Sequence, residues 1–162
     1  MGLELCRIDD RLIHGQVVVG WGQPMGLRFI VLVDDEVAAS DWERELYRMG
    51  VPPDVDVIFE TVDGAAARMA EFMNDARPGI LLTGDVEAMR RLASLSPALR
   101  AVNLGGVHHR AGRLQRLRYI FLSSDEERAL RDLEASGVSV TAQDVPGARP
   151  VPLADVLSGK GD

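Results

Sequence analysis

Cysteine is nearly absent: Cys6 is the only one in 162 residues. No disulfide, CxxC redox pair or cysteine-built metal site can therefore form within the chain, and a lone thiol inside an apolar run is expected to be a small buried core residue. Long hydrophobic runs are missing as well. No stretch approaches the roughly 18 to 20 apolar residues of a membrane-spanning helix, and the N-terminus lacks the regions of a signal peptide, so a cytoplasmic chain with no direct membrane insertion is expected. Lysine is scarce, since arginine supplies all but one of the 18 basic residues. The net charge of −7 argues against nucleic-acid binding, because no overall positive field would gather phosphates. Several motifs are also absent. There is no GxxxxGK[ST] loop, Gly20, Gly22 and Gly26 do not make the GxGxxG spacing, and neither GxSxG nor HExxH occurs, which removes the usual nucleotide-binding, hydrolase and zinc-peptidase signatures.

Acidic residues are lacking between Glu87 and Asp125, while Arg90, Arg91, Arg100, Arg110, Arg113, Arg116 and Arg118 all fall there. Such a segment is either solvated surface or a rim that meets a phosphate or an acidic partner.

What is present is ample apolar side chain, 46% of the residues, enough to bury a core in one domain over residues 1–162. Apolar runs at residues 3–8, 29–33, 55–59, 80–83, 101–104, 118–122 and 138–142 read as seven strands. Several are continuous in Val, Ile and Leu, as in strands covered on both faces. Between them, Ala66, Met69, Ala70 and Met73, then Val86, Met89, Leu92 and Ala93, repeat at helical spacing. Ser124 and Glu127 read as a capping box, Gly137 as the matching C-terminal cap, and Asp34 and Asp35 as a helix cap or the border of a cleft. This alternation implies an α/β fold, an open, doubly wound, mainly parallel sheet with helices on both faces. A core at residues 3–143 and an extended, proline-rich tail at 144–162, with a short helical turn near 153–157, are expected.

The chemistry concentrates in Arg7-Ile8-Asp9-Asp10-Arg11-Leu12-Ile13-His14-Gly15-Gln16-Val17, where the first strand ends and an apolar helix begins. Ligands of open α/β sheets sit outside the carboxyl ends of strands, and an anion there meets free backbone N–H groups of the next helix, here at Gly15 and Gln16. His14 can be a nucleophile with one ring nitrogen free and the other held by Asp9 or Asp10. Arg11 offers a charged fork for phosphoryl oxygens. The same residues also suit a plain structural role, with the aspartates capping the helix, Arg11 paired to them and His14 a satisfied first-turn histidine. His108 and His109, adjacent in a glycine-flanked loop, make a poor metal pair, and no metal or cofactor is expected.

The string at 7–17 resembles the phosphorylation-site signature of IIB components of the mannose/fructose/sorbose-type sugar phosphotransferase system. Residues 31–38, the Met49-Gly50-Val51-Pro52-Pro53 turn and Val102-Asn103-Leu104-Gly105-Gly106-Val107-His108 resemble further blocks of the same family in the same order, over roughly residues 4–153. The resemblance implies a seven-stranded fold and a phosphocarrier that accepts a phosphoryl group from a IIA protein on His14, by family expectation on Nδ1. It would pass that group to a sugar held by the membrane components IIC and IID. Arg11 and Asp9 carry over as active-site loop residues, and Gly105 and Gly106 would let a second loop pass close to the phosphoryl group. Two departures stand out. Thr83-Gly84-Asp85-Val86-Glu87 lacks the family's pattern before the fourth helix, and the chain opens directly on the first strand, so IIA is expected on a separate polypeptide. A IIB-like phosphohistidine protein with a regulatory role and no transport is the alternative use of the same loop.

Overall fold

The computed structural model describes residues 2–160. In chain order it contains β1 (Gly2–Ile8), a π-helical turn (Gln16–Trp21) that runs into α1 (Gly22–Met25), β2 (Phe29–Val33), α2 (Asp35–Ala38), α3 (Asp41–Arg48) and β3 (Asp56–Glu60). There follow α4 (Val62–Ala67), α5 (Met69–Met73), β4 (Pro78–Thr83), α6 (Val86–Leu95), β5 (Ala101–Leu104), β6 (Leu114–Leu117) and β7 (Ile120–Leu122). α7 (Ser124–Ala135), β8 (Ser139–Ala142), β9 (Val151–Pro152) and α8 (Leu153–Ser158) complete the chain.

Seven strands form one sheet in the order β3-β2-β4-β1-β5-β8-β9, all parallel except β9, which runs antiparallel to β8. Every residue of β2 is buried because both faces are covered. Phe29, Val31 and Val33 join one apolar cluster with α4 to α7, while Ile30 and Leu32 join another with the π-helical turn and α2. Alternation within a wholly apolar strand thus feeds two cores at once. Cys6 lies in the first cluster, and burial pushes its thiol up to about 12. Among the described residues no helix is long and apolar enough to cross a membrane.

Several expectations need correction. The sixth apolar run does not enter the sheet: its Ile120–Leu122 part pairs with Leu114–Leu117 in a separate antiparallel hairpin. That hairpin is drawn onto α7 by Arg116, which is ion-paired to the buried Glu127, and by Arg113, 2.7 Å from Glu126. The seventh strand of the sheet comes instead from the supposed tail, which is not peripheral, since Val151, Leu153 and Val156 are buried in the main cluster, and the helical turn expected near 153–157 is α8. The capping box uses Ser123 and Glu126, one residue earlier than expected. Both frames fit the sequence, but the strand ends at Leu122, and this frame turns Glu127 inward to meet Arg116. Gly137 does close the helix, at φ 98°, a conformation costly for any residue with a Cβ.

The stripe through Ala66, Met69, Ala70 and Met73 holds in part: Met69 is buried and Ala66 and Met73 pack against the first cluster, but Ala70 is exposed. A break at Arg68 separates α4 from α5, and Val62, Ala65 and Phe72 are buried beside Met69.

Ser123→Ala should cost about 1 kcal/mol of stability by urea denaturation, whereas Ser124→Ala, at an exposed position, should stay within about 0.5 kcal/mol of the parent. The reverse ranking would restore the other cap frame.

Candidate functional site

β1 lies inside the sheet between β4 and β5, and its C-terminal loop is stitched to both neighbours. Asp9 N–H donates to Thr83 C=O at 2.9 Å, Asp10 N–H to Gly106 C=O at 2.9 Å, and Gly105 N–H to Ile8 C=O at 2.7 Å. The loop then turns sharply at Leu12, whose φ of 58° makes it the only non-glycine residue with positive φ among those described. A leucine in that region is strained. Its side chain is buried in the second cluster and rests near Gly84, so packing holds the strained backbone in place. The turn points the chain back toward the loop's own start and delivers His14 beside Asp9. Gly15 and Gln16 open the π-helical turn, where the first N–H groups of a helix lack intrahelical partners.

Asp9 and Arg7 are both fully buried. Arg7 Nε and Nη2 reach Asp9 Oδ2 at 3.4 and 3.3 Å, and the His14 Nε2 atom lies 3.1 Å from that same oxygen. Nε2 is buried and makes no hydrogen bond among the described residues, so its approach to Oδ2 is a close polar contact. His14 Nδ1 bonds to none of the described residues. The other carboxylate oxygen, Oδ1, accepts the Arg11 N–H at 3.2 Å. Burial raises the Asp9 pKa, but the His14 ring, Arg7 and the Arg11 N–H outweigh it and hold the carboxyl below its usual range. Burial likewise pulls the Arg7 guanidinium down, against Asp9 and Asp144, which pull it back up.

The second half of the site comes from strand ends that sequence reasoning did not assign. Arg7 Nη1 donates to Asn103 Oδ1 and to Gln143 C=O, and Nη2 to Asp144 C=O. The Trp21 ring lies under the guanidinium at 5.0 Å, and its own N–H reaches Asp144 C=O. The exposed Arg11 guanidinium donates to Gln16 Oε1 at 3.1 Å, and Gln16 Nε2 in turn donates to Asp144 Oδ1 at 3.0 Å. Neither Arg7 nor Asp144 carries an obvious signal. One looks like an ordinary polar strand residue, and the other sits where a loose tail was expected.

The structure thus brings Asp9, Arg11, His14, Gly15 and Gln16 together and separates Asp10, which bonds His108 through both carboxylate oxygens at 2.6 and 2.7 Å. Gly105 needs a different explanation from the expected one: a Cβ there would overlap the Arg7 guanidinium, so the missing side chain makes room for Arg7. Gly106 does border the site, its Cβ position being 3.8 Å from Asp9 Oδ1. Asp34 caps α2 by accepting the Val37 N–H. Asp35 accepts the Val62 N–H, and in the divergent loop Asp85 caps α6. The arginine-rich segment is largely neutralised: Arg90 pairs with Glu87, Arg91 with Asp35 and Asp63, Arg113 with Glu126, Arg116 with Glu127 and Arg118 with Asp144. His109 stands edge-on to Phe121, and no group of three His, Cys, Asp or Glu side chains among the described residues could hold a metal.

An imidazole with Nε2 close to a buried carboxylate and Nδ1 unbonded, on a loop that also carries an exposed arginine, is suited to nucleophilic attack on an electrophile that arrives as an anion.

A family model described as the PTS system sorbose subfamily IIB component matches residues 3–162. The chain is 32% identical over 149 residues to the N-acetylgalactosamine-specific phosphotransferase enzyme IIB component 1 of Escherichia coli (strain K12), covering 88% of this chain and 90% of that protein. It is 30% identical over 162 residues to the PTS system mannose-specific EIIAB component of the same organism, spanning 98% of this chain and 49% of that longer protein. The crystal structure of the IIBSor domain of the sorbose permease from Klebsiella pneumoniae superposes with a TM-score of 0.85 at 25% identity, over 98% of this chain and 97% of that one.

Asp9→Ala strips the buried guanidinium of its counter-charge and should cost about 3–5 kcal/mol in urea denaturation. Because the folded pKa of Asp9 is depressed, its contribution is complete above the ordinary unfolded value of about 3.9. The contribution is lost as pH falls through the lower folded value. Asp9→Asn should flatten the stability curve in that acid window, and an unchanged slope would remove Asp9 from the pH dependence.

Proposed function

Because the chain belongs to the sorbose subfamily of PTS-system IIB components, we propose that it carries a phosphoryl group on His14 between a IIA donor and a sugar. The observation that carries this reading is the His14 ring, with Nε2 beside the buried Asp9 carboxylate and Nδ1 without a partner, on a strand-end loop that also holds Arg11. In the first transfer, the lone pair of Nδ1 attacks the phosphorus of a phosphohistidine on IIA. The donor's N–P bond breaks, its ring keeps the electron pair, and no proton has to leave the attacking nitrogen. Arg11, freed from Gln16, grips the phosphoryl oxygens, and the N–H groups of Gly15 and Gln16 offer further donors. These supply positioning and charge stabilisation, which carry most of the catalysis in phosphoryl transfer.

In the second transfer a sugar hydroxyl attacks the same phosphorus. The bond to Nδ1 breaks, His14 recovers its electron pair, and the hydroxyl proton leaves to solvent. Asp9 orients the ring throughout, while Asp10 braces the loop through His108. The sugar is held by the membrane components IIC and IID at the cytoplasmic face. Its class is a hexose, ketohexose or N-acetylhexosamine, in line with the mannose-, sorbose- and N-acetylgalactosamine-specific relatives. The chain is thereby a protein-N(π)-phosphohistidine–sugar phosphotransferase component. The phosphoryl donor is a IIA unit, and the mannose-specific relative is named as an EIIAB component.

The chain incubated with phosphoenolpyruvate, enzyme I, HPr and its IIA should gain one acid-labile phosphate by mass spectrometry under phosphohistidine-preserving conditions. His14→Ala should abolish uptake with an unchanged circular dichroism spectrum. Arg11→Ala should slow uptake by roughly tenfold or more, within the range for losing one transition-state donor. Phosphate uptake by the folded His14→Ala protein would contradict the assignment.

A further inference from the structure

We infer that Arg7 is a positioning residue for the reaction at His14: it fixes the Asp9 carboxylate so that the neutral ring keeps its proton on Nε2 and attacks through Nδ1. Such a role presupposes that His14 accepts phosphate, as proposed above. Arg7 never touches the phosphoryl group, because it is fully buried behind Asp9.

The geometry runs in one direction. Oδ2 of Asp9 faces Arg7 on one side, at 3.3 and 3.4 Å, and His14 Nε2 on the other, at 3.1 Å. Oδ1 is taken by the Arg11 N–H, so the carboxylate cannot rotate without breaking a contact at each oxygen. Arg7 is itself immobilised by the Asn103 side chain on β5, by the carbonyls of Gln143 and Asp144 beyond β8, and by Trp21 beneath it. The rigidity of the sheet is thereby passed through Arg7 to Asp9 and on to the ring.

Two consequences follow for the nucleophile. A ring that carried its proton on Nδ1 would aim the Nε2 lone pair at a carboxylate oxygen and leave no lone pair at the unbonded nitrogen. Held in place, Asp9 selects the productive tautomer, much as a buried aspartate sets the histidine tautomer in a hydrolytic triad. The Arg7 charge also makes Asp9 a weaker base. The charged groups around the ring are Asp9 and Arg11 on its own loop, Arg7 from β1, Asp144 beyond β8, and the Asp10 and His108 pair that bridges to the β5 loop.

Two variants reach Arg7 from different sides. Arg7→Lys keeps the charge but loses the planar fork that serves four partners. Gly105→Ala leaves every charged residue intact and drives a methyl group into the guanidinium. Ring-nitrogen chemical shifts of His14, read by 15N NMR on the intact unphosphorylated chain across a pH titration, should show the Nε2–H tautomer in the parent. Each folded variant should show a mixture of tautomers and phosphate uptake from phospho-IIA slowed about tenfold, the lower end for loss of an outer-shell partner. A merely structural Arg7 would cost stability without moving the tautomer of a folded variant. The parent ring carrying its proton on Nδ1 would overturn the proposal, and so would folded variants with the parent's tautomer and uptake rate. If neither variant folds, the parent's tautomer decides alone. A parent chain that takes up no phosphate from an active donor would overturn the phosphocarrier reading, and the role of Arg7 with it.

Discussion

A buried ion pair between Arg7 and Asp9 is the constraint on which the end of the sheet is built. Taking two charges out of water costs several kcal/mol per ion, and that cost is offset only when geometry and additional hydrogen bonds are good. Arg7 therefore needs a partner for each donor. They come from Asp9 on its own loop, Asn103 on β5 and two carbonyls beyond β8. Once these are met, the spacing of three strand ends, the glycine at position 105 and the Trp21 ring beneath the guanidinium all follow from one side chain. The same pair leaves one carboxylate oxygen facing His14, so a requirement of the core becomes a feature of the site.

Strain and order meet at the next step of the loop. Leu12 adopts a backbone conformation that its side chain disfavours, and it is kept there by burial against the second apolar cluster. Without that turn the chain would run on past the strand end, and His14 would not return to Asp9. The π-helical turn that follows brings Gln16 and Trp21 to Asp144, so both ends of the loop close on residues beyond β8. The loop is therefore held on both sides, and its exposed Arg11 side chain is tethered only by one contact to Gln16.

Much of this was legible in the sequence, and the reasons for the remainder are physical. β2 and β4 stand out because a parallel strand covered on both faces must be apolar throughout. The 7–17 loop stands out because histidine, arginine and two aspartates crowd the end of such a strand. Arg7 does not, since an arginine in a strand usually reads as solvent-facing, and its burial depends on partners nearly a hundred residues or more away in sequence. Asp144 was hidden for the same reason, and with it the return of the proline-rich segment as β9. That strand is only two residues long and has no periodicity to detect. The β6–β7 hairpin was misread because a short apolar run cannot reveal whether it joins the main sheet. Arg113 and Arg116, which anchor it to α7, looked like part of a basic patch.

The central claim is that the loop holds His14 through Nε2 and leaves Nδ1 to take the phosphate. Phosphorus and nitrogen NMR of the phosphorylated, 15N-labelled chain tests it most directly, because coupling between the phosphorus and a ring nitrogen identifies the bonded atom. Coupling to Nδ1 of His14 is the expected result. Coupling to Nε2, or to a ring of His108 or His109, would show that the Asp9 contact does not select the reacting atom.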